Sequence, residues 1–292
     1  MRNQRYADEE LSTEQGKFIR QKAVEAALRQ FVGRKLFGAN GVFGPLGEGV
    51  TTYAYDTRTR GAGARTDWGW PGAESKDAQN LNRSTVSIPL HHQEFEINKL
   101  DLAASRLNGT PLNMSKVEMA SYDVALQEDK MILLGWSRDG STYEINGLYN
   151  AAGNDENTHY DWATKANIEL SITKAMALLL ADNIPPPYNT TLHPTQFSLA
   201  NALIANTGVS YLEMIRKWTG GEVFVTPGMT AGLGLMSKAD PQGLFELVVA
   251  EDLTVFTDIL EKRHNLFGKV YIRDLPVVYD SNALCKLSNI GA

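Results

Sequence analysis

Residues 113–135 read Asn-Met-Ser-Lys-Val-Glu-Met-Ala-Ser-Tyr-Asp-Val-Ala-Leu-Gln-Glu-Asp-Lys-Met-Ile-Leu-Leu-Gly, and this run constrains the fold more than any other. Asn113 or Ser115 can cap a helix there, and Ser115-x-x-Glu118 has the spacing of a capping box. About twenty residues in helical geometry make a rod of roughly 30 Å, long enough to be the backbone of a domain. The approach to it is strand-like, Val86-Ser-Ile-Pro-Leu90 and then Glu94-Phe-Glu-Ile97, followed by a short helical segment. Tyr143-Glu-Ile-Asn-Gly147-Leu-Tyr-Asn150 closes the region.

Ahead of this run, residues 1–10 are polar and expected to be loose at the terminus. Ser12-Thr-Glu-Gln opens a helix expected to reach about Val32, with Ile19, Ala23, Ala26, Ala27 and Phe31 on a broad apolar face and Gly33 as its stop. The basic residues Lys17, Arg20, Lys22 and Arg29 lie around it. Such a helix packs either on the body of its own subunit or as an arm on a neighbour. Gly38, Gly41, Gly44 and Gly47 then recur at every third position, with Pro45 among them. The pattern is too short for a triple helix, and no Gly-Lys-Ser/Thr follows to cradle phosphate. A turn-rich connector is expected.

Thr51-Thr-Tyr-Ala-Tyr55 and Ser84-Thr-Val-Ser-Ile88 read as strands by their β-branched and aromatic content. Between them lies Arg58-Thr-Arg-Gly-Ala-Gly-Ala-Arg-Thr-Asp-Trp-Gly-Trp-Pro-Gly, a polar stretch longer than loops in compact domains usually are. Trp68 and Trp70 sit in it without a core pattern around them. With Arg58, Arg60 and Arg65 they are candidate contacts to a second protein surface, the alternative being a satellite cluster folded back on the same subunit. Downstream, residues 161–182 carry Ile168, Ile172, Ala175 and Leu179 on one helical face, and Ile184-Pro-Pro-Pro187 ends the helix. Helices are also expected over 194–206 and 210–218. Strands are expected at Glu222-Val-Phe-Val225, Gly232-Leu-Gly-Leu-Met236, 245–250, 254–256, 269–273 and 277–279. The order is α+β, not an alternating βαβ chain.

The formal net charge of −6 argues against tight nucleic-acid binding by the chain as a whole. No apolar run approaches the roughly 20 residues a bilayer span needs, and the first residues do not read as a signal peptide, so a soluble protein made in the cytoplasm is expected. The single cysteine, Cys285, permits no internal disulfide; it reads as a small apolar residue in a strand, with no His near it in sequence to activate it. His91-His92-x-Glu94 offers at most two ligands on one side of a strand, His92 and Glu94, where a structural zinc needs four. Glu94, Glu96 and Asp101 are spaced as on a solvated face. Nucleophile elbows, Walker loops and His-Glu-x-x-His are absent from the sequence. No catalytic residue, metal or cofactor is assigned.

The order of strand, long helix and Tyr143–Asn150 segment resembles the spine-helix region of encapsulins and of the related major capsid proteins of tailed phages. Leu11-Ser-Thr-Glu-Gln with its helix, then Val32-Gly-Arg-Lys35, is similar to the encapsulin N-terminal helix and its continuation. The resemblance runs collinearly over most of the chain. It implies an α+β tailed-phage major capsid fold with an N-terminal arm and helix (1–49), an extended E-loop hairpin (50–88), a P-domain with the spine helix (89–136), an A-domain (137–248) and a return to the P-domain (249–292). It further implies icosahedral self-assembly through pentamers and hexamers, without catalysis or cofactor. Its leading reading is a viral capsid around double-stranded DNA, located in the virion, with minor capsid or cement proteins as further partners and no membrane. Lys17, Arg20, Lys22 and Arg29 would then form an inner surface in non-specific contact with DNA. The alternative is an encapsulin-type compartment enclosing an enzyme, and a third reading is a soluble α+β enzyme. Some phage relatives cross-link subunits through a lysine in the hairpin; Lys76 is the one lysine of this loop, and its setting assigns it no such chemistry.

Overall fold

The structure, a computed structural model, describes residues 13–28, 32–38, 40–58, 81–98, 100–101, 104, 107, 114–140, 142–159, 161–204, 207–258 and 265–291. The N-terminal helix is α1, Thr13–Leu28, with Ile19, Ala23 and Ala27 buried at four-residue spacing. A 3-10 turn, Gly33–Phe37, leads into the short strand β1, Val42–Phe43. The ribbon strands β2 (Thr52–Arg58) and β3 (Leu81–Ser87) and the strand β4 (His91–Asn98) precede the long helix α2, Ser115–Leu134. Leu100, Asp101, Ala104 and Leu107 are helical, where the sequence suggested a short helical segment.

The expected long helix is present, but Met114 holds its cap position without a side-chain cap bond, so the helix starts one residue ahead of its expected capping box. Its buried stripe, Val117, Ala120, Val124 and Ala125, meets Ile19, Ala23 and Ala27 of α1 and Phe95 and Ile97 of β4 in one apolar cluster. Each of the Val, Ile and Phe side chains among them, removed from water, contributes about 1.5–3 kcal/mol. Gly135 ends α2 at φ +92, and a Cβ there would lie 2.2 Å from the Ile145 carbonyl oxygen, so only glycine lets the chain turn against the next segment. That turn pairs β5 (Gly135–Trp136) with β6 (Ile145–Asn146).

The second half opens with β7 (Asn154–Glu156), α3 (Ala166–Ala181) and β8 (Tyr188–Leu192). Next come α4 (Pro194–Ala200), α5 (Tyr211–Thr219), β9 (Gly220–Val225) and β10 (Gly234–Lys238). The long strands β11 (Phe245–Asp258) and β12 (Asn265–Val278) and the last strand β13 (Leu284–Leu287) complete the chain.

Two sheets organise these elements. One has the order β1-β11-β12-β4 and lies with α1 and α2; the other has the order β7-β13-β10-β8-β9 and packs with α3 and α5 around the largest core cluster. The run from Val249 to Leu287 is thus divided between them, β11 and β12 in the first sheet and β13 in the second.

Where the sequence suggested four short strands after Phe245, the chain forms one long antiparallel pair. The register shifts between Val249 and Glu251 and between Glu251 and Thr254, so the polar Glu251–Thr254 stretch is a bulge rather than a loop. Pro276 lies inside β12 without cost. Its partner Leu247 turns its N–H to Gly41 O at 2.8 Å, so the Leu247–Pro276 pair exchanges no ladder bonds, and β4 pairs β12 only as far as Ile272. The glycine-rich connector also has a structural reason. A Cβ on Gly44, at φ +135, would meet Val249 O at 2.1 Å, and the chain beyond it donates from Leu46 N to Val249 O and from Gly47 N to Ala250 O.

Candidate assembly surface

The β2–β3 ribbon pairs Tyr53 with Val86, Tyr55 with Ser84 and Asp56 with Arg83. Alternation puts Tyr53, Tyr55 and Val86 on one face, where they rest against a small core of Ile88, Met131, Ile145, Val248, Ala250, Leu275 and Val277. None of the ribbon residues whose burial is described is fully buried. Among the described residues its strands pair only with each other.

Polar contacts fix its base. The Tyr53 hydroxyl donates to Glu246 Oε1 at 3.2 Å, and the Tyr279 hydroxyl donates to the same oxygen. Burial and the Glu246 carboxylate hold the Tyr279 phenol well above its usual range, so it stays a donor. Tyr55 meets Tyr279 edge-on, with ring centroids 6.1 Å apart. At the lead-in to β2, Arg273 donates from Nη1 to Glu48 O at 2.8 Å and from Nη2 to Val50 O at 2.6 Å, and Nη1 lies 3.2 Å from Glu251 Oε1. Beside the ribbon, a groove of about 500 Å³ runs between Val86, Pro89, Leu90, Trp136 and Ile145.

Beneath this surface lies a buried charged cluster. Arg34 donates from Nε to Glu128 Oε1 at 2.5 Å and from Nη1 to Asp252 Oδ1 at 3.0 Å. Asp129 accepts from Gly33 N at 2.8 Å, Thr226 Oγ1 at 3.0 Å and Val32 N at 3.4 Å, tying the 3-10 turn and the loop after β9 to α2. Burial lifts Asp129 to about 7, against the pull of those donors. Burial lifts Glu128 and Asp274 as well, and their mutual repulsion lifts Glu128 further than Arg34 can offset. His91, buried with Nε2 3.1 Å from Met131 Sδ and 3.7 Å from Asp274 Oδ1, is lowered by burial to about 4 and is neutral. Perturbed carboxylates can mark an active site. Here Glu128, Asp129 and Asp274 have no exposed surface, and the bonds of Glu128 and Asp129 join the 3-10 turn and the loop after β9 to α2.

The start of β4 splits its two histidines. His91 is buried whereas His92 and Glu94 are exposed, and among the described residues no three His, Cys, Asp or Glu side chains are placed to hold a metal. Cys285 is buried in β13, and burial pushes its thiol up to about 12, which leaves essentially no thiolate for nucleophilic attack. Lys17 and Arg20 are exposed on α1, while Lys22 donates to Glu25 at 2.9 Å; Arg29 lies outside the described residues. So do Trp68, Trp70, Arg60, Arg65 and Lys76, and the side chain of Arg58, which closes β2 opposite Leu81. The sequence reading missed Arg34, Glu128, Asp129, Glu246, Arg273 and Asp274. For Glu128 and Asp129 a signal existed: they fall four residues after Val124 and Ala125, on the buried stripe of α2.

No described helix is long and apolar enough to cross a membrane. By sequence, the chain is 27% identical over 294 residues to the type 1 encapsulin shell protein EncA of Myxococcus xanthus, an alignment covering 98% of this chain and 96% of that protein. It is 26% identical over 205 residues to a diheme-cytochrome-encapsulin shell fusion protein of Kuenenia stuttgartiensis, covering 70% of this chain and 54% of that longer protein. By structure, it resembles the virus-like particle from Pyrococcus furiosus at a TM-score of 0.64 and 14% identity, over 92% of this chain and 98% of that one. It resembles the capsid of Myoviridae phage XM1 at 0.58 and 14%, over 88% and 92% of the two chains. These likenesses establish the α+β capsid fold. A profile of the family described as encapsulating protein for peroxidase matches residues 1–267, and the chain belongs to that family, Linocin_M18.

Proposed function

We propose that this chain is the subunit of a closed, self-assembling protein compartment that encloses a cargo enzyme. The observation that carries the reading is the β2–β3 ribbon: two strands alone are marginal in water, and residues 52–57 and 82–87 of the ribbon are all exposed or half-buried. A ribbon of this kind gains its remaining burial by lying on a neighbouring copy, and head-to-tail contacts of one kind close when the rotation permits. In this reading 50–88 is the E-loop, and Trp68 and Trp70, with Arg58, Arg60 and Arg65, serve the contact. Residues 89–136 with the β11–β12 pair form the P-domain, and the five-stranded half forms the A-domain.

Family membership and the near full-length match to an encapsulin shell protein support a compartment over the DNA-filled virion that the sequence alone favoured. The charge of α1 supports it too, since Lys22 is paired to Glu25 and, among the described residues of the helix, Lys17 and Arg20 are the exposed cations that remain, a thin basis for holding a genome. Electron microscopy of the purified chain, nuclease treatment and mass spectrometry of the contents test the proposal. Closed particles holding a reproducible co-purified enzyme and no protected nucleic acid are expected. Protected genome-length DNA would replace the compartment with a virion, and a monodisperse small oligomer across salt and concentration would remove the shell altogether.

A further inference from the structure

We infer that Glu246 and Arg273 are positioning residues that set the angle of the β2–β3 ribbon and, through it, the size of the shell; the inference rests on the shell reading above. The ribbon's own apolar side chains, Tyr53, Tyr55 and Val86, with Val50 ahead of them, are only partly buried against the core beneath. Apolar contact is non-directional, so by itself it lets a ribbon pivot. Hydrogen bonds are directional and weaken steeply with misalignment. Two sets of them grip the ribbon at separate points. Glu246 of β11 receives the Tyr53 hydroxyl within the ribbon and the Tyr279 hydroxyl just beyond β12. Arg273 of β12 grips the Glu48 and Val50 carbonyls ahead of the ribbon and is itself held by Glu251 of β11. The register places Glu246 opposite Val277 and Glu251 opposite Arg273, so the two grips lie several residues apart along one rigid strand pair. One grip makes a hinge. Two make a fixed direction.

The lever is long. Seven residues of β2 extend about 23 Å at about 3.3 Å each, so a pivot of about 10° moves the far end by about 4 Å. That displacement exceeds the tolerance of any hydrogen bond the far end makes with a neighbour. Since every copy repeats the same angle, an error at the base becomes a change of curvature and hence of the number of copies that close a shell.

The test compares the full chain with two variants. Tyr53→Phe/Tyr279→Phe deletes both hydroxyls and keeps both rings, and Arg273→Met keeps the stem of the side chain and deletes its donors. Particle diameters are read by electron microscopy and mass photometry, with circular dichroism as the check on subunit folding. Wild type should give one diameter. In each variant the fraction at that diameter should fall at least about twofold in favour of other sizes or open fragments, with the subunits folded. Glu246→Gln, which retains an acceptor oxygen for the phenols, should keep the parental size. If Arg273→Met does not fold, the tyrosine pair, on partly exposed side chains, decides alone. Folded variants with a single parental diameter overturn the inference and leave the shell reading standing. A wild-type chain that forms no particle overturns both.

Discussion

Replacing Asp129 by Asn should flatten the pH dependence of subunit stability. Asp129 is fully buried on α2 and its pKa moves from an ordinary 3.8 to about 7. The folded chain therefore binds this proton more tightly than the unfolded chain does. Its contribution to stability is fully present below pH 3.8 and is lost as the pH rises towards 7. Each pH unit of separation is worth about 1.4 kcal/mol, so the whole change amounts to about 4 kcal/mol. His91 works in the opposite direction: lowered from 6.5 to about 4, it contributes stability above pH 6.5 that is lost as the pH falls towards 4. The wild-type profile mixes the two, along with the raised Glu128 and Asp274. The difference between wild type and Asp129→Asn cancels what they share.

Urea unfolding at equal protein concentration, at pH 5 and at pH 8, gives that difference. Wild type should lose about 2.5–3 kcal/mol more than the variant between the two conditions, since about two of the pH units separating 3.8 from 7 lie above pH 5. At pH 8 the variant should be close to wild type, because Asn avoids a buried charge but gives up charge-assisted bonds from Gly33 N and Thr226 Oγ1 worth about 1.5–3 kcal/mol each. Parallel pH profiles for the two proteins would refute the argument, for they would mean that Asp129 titrates alike in the folded and unfolded chains.

Three other outcomes follow from the geometry. Gly135→Ala forces a side chain onto φ +92 and within 2.2 Å of Ile145 O, and should cost at least about 3 kcal/mol; a melting midpoint within a degree or two of wild type would count against that account. Cys285 should resist a water-soluble disulfide reagent at pH 8 in the native protein and react fully in denaturing urea, and rapid stoichiometric native labelling would contradict its burial. Trp68→Ala/Trp70→Ala should lower particle yield with little change in subunit melting, since large aromatic anchors can carry about 2 kcal/mol or more at an interface; unchanged yield and shell stability would remove them as anchors.

The elements that could be read from sequence are those whose cause is local. The long helix was placed to within a residue or two because its apolar stripe repeats at helical spacing. Helix α3 starts at Ala166 instead of about residue 161, because Asp161 takes φ +61 and the next residue, Trp162, is buried with its Nε1 on Ser171 Oγ at 2.9 Å, which uses the segment as a turn. Strand β8 was missed altogether. Its residues Tyr-Asn-Thr-Thr-Leu read as polar after a proline run, yet all five are buried between β10 and β9, with Asn189 Oδ1 accepting from Glu222 N at 3.0 Å. A polar residue in a central strand is legible only once its partner is known, and Glu222 lies 33 residues away.

The same reasoning explains why the hairpin was legible and its anchorage was not. Strands rich in Thr, Tyr and Val around a long polar stretch announce a hairpin locally. Nothing local announces that Glu246, which looks like any surface carboxylate, receives the hydroxyl of Tyr53, 193 residues earlier in the chain. Nor does the sequence show that Arg273 spends its donors on backbone carbonyls more than 220 residues away. Such pairs depend on β11 and β12 being one continuous antiparallel pair, and the sequence suggested a break in each of those strands. Once the strands are continuous, Glu246 and Arg273 come from opposite strands of a single rigid element and face the same ribbon. In the proposed shell, the direction of the ribbon therefore depends on the bulge at Glu251 and the ladder-neutral Pro276 as much as on the ribbon's own residues, because these two features allow the long strands to exist.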